Sequence, residues 1–188
     1  FLETDGTGSL AAGAATIQIR FRIYGNNDAT TGDGWSIDEV SIAENTTGNT
    51  PYPFIDPFVD DTVFKTNWIT TNKGKGYVLS TITSNSTPNA VYLSPPKSSP
   101  TGSTQYLTLA RPIDLTQGVN PQLSFWHKYH TNGNYPNYGH ARLDISTDGG
   151  RVWNTLFSPF SGDQTNWTRV QIDLTPYGNS STVLIRFV

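Results

Sequence analysis

The 188-residue sequence contains no cysteine and no methionine, and only 14% of its residues are charged. Without cysteine there is no disulfide framework. Methionine is missing even at position 1, where Phe1 stands, and no signal-peptide pattern is visible, so the chain reads as a processed or excised piece. No run of 18 or more apolar residues occurs, which excludes a membrane-spanning helix. A formal net charge of −3 with no basic block argues against nucleic acid as a partner. Serine is plentiful but no G-x-S-x-G elbow is present, and no HExxH pair is found. Asp144, Asp148 and Asp173 are available for glycoside cleavage, yet nothing aims two of them at one cleft. The expectation is a protein that is not an enzyme.

What is abundant is Thr, Ser, Asn and Gly, with 12% aromatic residues. That balance is typical of secreted β-proteins, whose half-buried strands favour aromatic and β-branched residues, and it places the chain outside the cell or on its surface. Sequons at Asn45, Asn85, Asn166 and Asn179 are expected by chance in so Asn- and Thr-rich a chain.

Residues 1–16 are small and polar without a period and read as a lead-in. A turn-rich linker with Pro51, Pro53 and Pro57 sets a boundary, dividing the chain into 1–44, a linker at 45–54, and a body at 55–188. The body carries strand signals throughout and no helical period. In PQLSFWHKYHT, Leu123, Phe125, His127 and Tyr129 alternate with Ser124, Trp126, Lys128 and His130. HARLDISTDGG and RVWNTLF read as a hairpin turning at Asp148-Gly149-Gly150. Several strands at regular spacing predict an all-β antiparallel sandwich of jelly-roll type with very little helix.

The organising stretch is 17–42, IQIRFRIYGNNDATTGDGWSIDEVSI. Ile17, Ile19, Phe21 and Ile23 share one strand face. In the strand after the polar turn, Trp35 and Ile37 share a face while Val40 and Ile42 have the opposite parity. Burying all four requires one extra residue near Asp38–Glu39, a β-bulge. TVLIRFV at 182–188 repeats the first of these strands: Val183, Ile185 and Phe187 match Ile17, Ile19 and Phe21, and Arg186 matches Arg20. The chain thus starts with a sandwich's closing strands and stops just before the next set.

The order IDLT (113–116), LSFWHKY (123–129), LDISTDGGRVWNTL (143–156), NWTRVQIDLTPYG (166–178), VLIRF (183–187) and GWSIDEVSI (34–42) resembles one group of secreted modules. These are the MAM-like jelly-roll modules of bacterial surface proteins, including choice-of-anchor-type domains and accessory domains of immune-inhibitor-A-like metalloproteases. The departure is that the family's last strand stands first. The resemblance implies a non-catalytic β-sandwich, with a structural calcium ion between Asp60 or Asp61 and Asp38, and with Glu39 in place of a second Asp. Such carboxylates are the hard oxygen donors calcium takes, six to eight at a time.

Three further patterns have a chemical and a plain reading. His127 and His130 stand three apart on a strand and face opposite ways, against a zinc site that would also use His140. STDGG (146–150) lacks the spacing of a helical calcium loop and reads as a turn. Trp126, Tyr129, Tyr135 and Tyr138 are the flat rings a sugar-binding face would use, or they pack the core.

Two functional expectations follow. The first is a subunit or tandem repeat of a cell-surface filament or adhesin, its copies joined head to tail by donor-strand complementation. Strands 17–42 would complete a neighbouring sandwich, with Ile17, Ile19, Phe21, Ile23, Trp35, Ile37, Val40 and Ile42 meeting Val183, Ile185 and Phe187. The same offset also fits a cut tandem array or strands folding back on their own body. The second expectation is an accessory module that holds glycans for a secreted hydrolase.

Overall fold

A computed structural model describes residues 19–24, 34–44, 54–71, 77–93, 104–116, 118–131, 140–181 and 183–188. The lead-in 1–16, Ile17, the linker residues 45–53, and Tyr135 and Tyr138 lie outside the described residues. The strands, numbered in chain order, form two six-stranded sheets. The first holds β1 (Ile19–Tyr24), β4 (Trp68–Thr70), β7 (Thr104–Leu109), β9 (Ala141–Ser146), β10 (Asn154–Phe160) and β12 (Leu184–Phe187). The second holds β2 (Gly34–Glu44), β3 (Phe54–Asp56), β5 (Tyr77–Ser80), β6 (Ala90–Leu93), β8 (Pro121–His130) and β11 (Asp163–Asp173). Every pairing is antiparallel. This is the all-β sandwich that the period-two alternation dictates, since each strand has one apolar face to bury against the other sheet.

One segment departs from the strand reading. Residues Asp61–Asn67 form a helix, α1, and a 3₁₀ turn at Thr175–Tyr177 is the other helical piece among the described residues. Asp60 caps α1, its carboxylate accepting the N–H groups of Thr62 and Val63 at 2.8 Å each. Asp61 pairs with Lys65 one turn later. Phe64 is the single side chain α1 buries. Seven residues make under two turns, too few for the 3.6-residue period to show in sequence.

β2 is the centre of the second sheet. On one edge it pairs with β8 along its whole length, Gly34 opposite His130 to Glu44 opposite Pro121. On the other edge, residues 35–37 pair with β6 and residues 40–42 with β3. The register with β8 shifts between Asp38 and Ser41, and Glu39 takes a positive φ of 49°. The extra residue is the bulge that the parity switch requires. It lets Trp35, Ile37, Val40 and Ile42 all turn inward, and each is fully buried.

The core between the sheets is aromatic. Phe187 of β12 meets Phe125 at 5.2 Å, Trp35 at 5.6 Å and Trp68 at 5.7 Å between ring centres. His127 belongs to this core, accepting the Trp35 indole N–H at 3.3 Å and lying 4.5 Å from the Phe160 ring. His130, on the other face, pairs with Asp163.

Burial lowers the His127 pKa from 6.5 to about 4, because the ring cannot be hydrated as a cation there. A folded pKa below the unfolded one means stability that is present above pH 6.5 and lost as pH falls toward 4. The shift corresponds to about 3 kcal/mol. In urea unfolding between pH 7 and pH 4, His127→Phe is therefore expected to show a shallower acid loss than wild type by roughly that amount.

Candidate functional site

The sequence match between the two ends has a geometric counterpart. Phe187 of β12 stands opposite Leu107 of β7 and Leu143 of β9, and Arg186 opposite Thr108 and Asp144. In β1, Phe21 stands opposite the same Leu107 and Leu143, and Arg20 opposite the same Thr108 and Asp144. Ile19 and Ile185 likewise share Ile145. Neighbouring strands lie about 4.8 Å apart, so the gap between β7 and β9 is one strand wide. β1 and β12 therefore share the same neighbours in the same register.

The occupant completes the first sheet. β7 carries β4 on its far edge and β9 carries β10. Without a strand between them the sheet divides into two pairs, each exposing a row of unpaired backbone groups. β12 extends its hold beyond the slot, with Val183 bridging Ile113 and Val188 exchanging both backbone hydrogen bonds with Arg142 at 2.9 and 3.0 Å. Val183, Ile185 and Phe187 are fully buried.

The carboxylates singled out in the sequence fall on separate networks. Asp38 is fully buried at the bulge. It accepts the backbone N–H of Asn85 at 2.7 Å, of Glu39 at 2.8 Å and of Ser86 at 2.9 Å. Glu39 accepts the Asn85 side-chain amide at 3.3 Å. Asp60 is spent on the α1 cap and Asp61 on Lys65. Among the described residues no three His, Asp or Glu side chains gather into a metal-holding group. The Asp38 carboxylate is met by three backbone N–H groups and, at 3.5 Å, by the Ser86 hydroxyl.

Sequence reasoning passed over Asp56, which the structure makes a structural hub. Its carboxylate is fully buried and accepts the Phe58 N–H at 2.8 Å, and the Asn67 amide and Trp68 indole at 2.9 Å each. The signal was an acid held between a strand and a proline in FIDP, which by itself reads as a turn.

The outer face of the second sheet carries the polar set. A cavity of about 190 Å³ is lined by Ser36, Thr83, Tyr92, Lys128, Tyr129, His130, Gln164 and Thr165. Lys128 Nζ lies 5.2 Å from the centre of the Trp167 ring. Of the rings expected on a sugar face, Trp126 is half-buried beside Asp38 and Arg169. Tyr129 leans into the core, 5.4 Å from His127 and 5.8 Å from Phe160.

Comparison with known proteins finds no matching family model, curated protein or solved structure.

Burial, against the hydrogen bonds from Ser86, Asn85 and Glu39, raises the Asp38 pKa above 3.8. A raised acid pKa means stability that is full below pH 3.8 and lost as pH rises through the folded value. The advantage of wild type over Asp38→Asn is thus expected to shrink as pH rises across that window. Asp38→Ala, which strands three N–H groups, should lower the unfolding free energy by about 3 kcal/mol in urea titration at neutral pH.

Proposed function

We propose that this chain is a non-catalytic extracellular structural module of the MAM-like kind, a subunit or tandem repeat of a cell-surface filament or adhesin. Copies join when strands 17–42 of one complete the sandwich of the next. The observation that supports this reading is the slot with two matching strands. A copy that fills its slot with β12 has β1 left over, and a copy that accepts β1 from a neighbour releases its own β12. Each copy therefore carries one strand more than its slot holds, and a surplus strand with unpaired backbone pairs with another copy. The contact is between two different surfaces, so it repeats head to tail without closing. The low charge and the wealth of Thr, Asn and aromatic residues support a place outside the cell.

A second reading, a glycan-holding accessory module, is favoured by the cavity on the outer face of the second sheet. Its hydroxyls, amide and Tyr92 ring are the groups a sugar ring meets in a binding site.

Light scattering and negative-stain microscopy of the full chain at rising concentration, with and without a calcium chelator, test the first reading. Wild type is expected to form open-ended high-mass species. Phe21→Asp is expected to abolish them, because docking would bury an unpaired charge. Equal assembly of wild type and Phe21→Asp rules out the strand donor. For the second reading, a glycan array probed with wild type and Tyr92→Ala should show binding that drops at least roughly tenfold in the variant, the scale of one lost ring contact. No binding to any glycan removes that reading.

A further inference from the structure

We propose that Asp144, Trp153 and Tyr106 form an arginine-reading site that selects the strand entering the slot, and that its ligand between copies is Arg20 of a second copy of this chain. The inference rests on the strand-exchange reading and names the contact that gives it specificity.

The geometry is seen with Arg186 in place. Its Nη2 donates to Asp144 Oδ2 at 3.1 Å. Its guanidinium carbon lies 3.8 Å from the centre of the Trp153 ring and 4.5 Å from that of Tyr106. Asp144 and Arg186 are both almost wholly buried. A planar, weakly hydrated guanidinium stacks on two rings while reaching a carboxylate, which a compact ammonium cannot do. The three parts come from β7, β9 and the turn after β9, so the site is complete only when the flanking strands are folded.

That turn is built to hold Trp153. Asp148 Oδ1 accepts the N–H groups of Arg151 and Val152 at 3.0 Å, and Ser146 Oγ accepts that of Gly150 at 3.0 Å. Gly149 and Gly150 both take positive φ, 77° and 85°, where a side chain would be strained. The Trp153 indole N–H then closes on the Gly150 carbonyl at 3.0 Å. Arg142 also reaches Asp144, at 2.8 Å, and balances its charge.

An occupant of the slot must therefore present a Phe to the core and an Arg, one residue earlier, to the opposite side. The dipeptide Arg-Phe occurs twice in the sequence, at Arg20-Phe21 and Arg186-Phe187. Both copies register on the same residues, with Arg20 opposite Asp144 as Arg186 is. Arg22, on the same strand, stands opposite Tyr106 and Arg142 but not Asp144, so it shares one part of the site without its carboxylate.

The test compares assembly of full-length wild type, Arg20→Ala, Arg20→Lys and Arg22→Ala by light scattering, with thermal unfolding as the check on folding. All four keep Arg186, so each can fill its own slot with β12 and fold. Arg20→Ala is expected to weaken association at least roughly tenfold, the scale of losing a desolvated guanidinium from two rings while Arg142 still pairs with Asp144. Arg20→Lys should fall between, and Arg22→Ala should weaken assembly less than Arg20→Ala does. If Arg20→Ala assembles as wild type does, or if Arg22→Ala loses as much, the arginine reader is overturned and strand exchange stands. If wild type itself does not assemble, both are overturned together.

Discussion

A gap one strand wide between β7 and β9 is the constraint on which the rest of the sandwich depends. The strand in it supplies backbone partners to both neighbours and so joins two strand pairs into one sheet. It also delivers Phe187 to the point where Trp35 and Phe125 of the second sheet meet Trp68 of the first. Hydrogen bonding and the aromatic core are thus completed by the same four residues. Because burial of a Phe side chain contributes about 2–3 kcal/mol and unpaired buried backbone costs as much again per group, an empty slot is not a stable state. Two segments of the chain carry the pattern that fits these neighbours.

β2 solves the matching problem in the second sheet by another device. A regular strand exposes alternate residues, and Trp35-x-Ile37 is out of step with Val40-x-Ile42. The bulge at Asp38–Ser41 turns both pairs inward and hands the far edge of β2 from β6 to β3. It leaves a carboxylate inside, and burial of that charge is only partly offset by three backbone N–H groups, two of them from residues 85 and 86. The connection between β5 and β6 is tied to the bulge in this way.

The two sheets carry different side-chain chemistry. The slot faces inward on one side and, on the other, meets a guanidinium cage, which suits recognition of a strand by register. The outer face of the second sheet is polar, with a small cavity beside Lys128 and His130. Nothing in one arrangement draws on the other.

The sequence by itself determined the strands, their inward faces and the bulge, because period-two alternation and its one parity break are local properties of consecutive side chains. It also showed that residues 19–21 and 185–187 carry the same pattern, and matching side chains at matching spacing ask for the same neighbours. Which acids do which work was decided only by the tertiary structure. Asp60 became a helix cap because α1 is too short to announce itself, and Asp56 became a hub because Asn67 and Trp68 return to it from the far end of that helix. The arginine cage was equally hidden, for Tyr106, Asp144 and Trp153 lie on three elements that only sheet formation brings together.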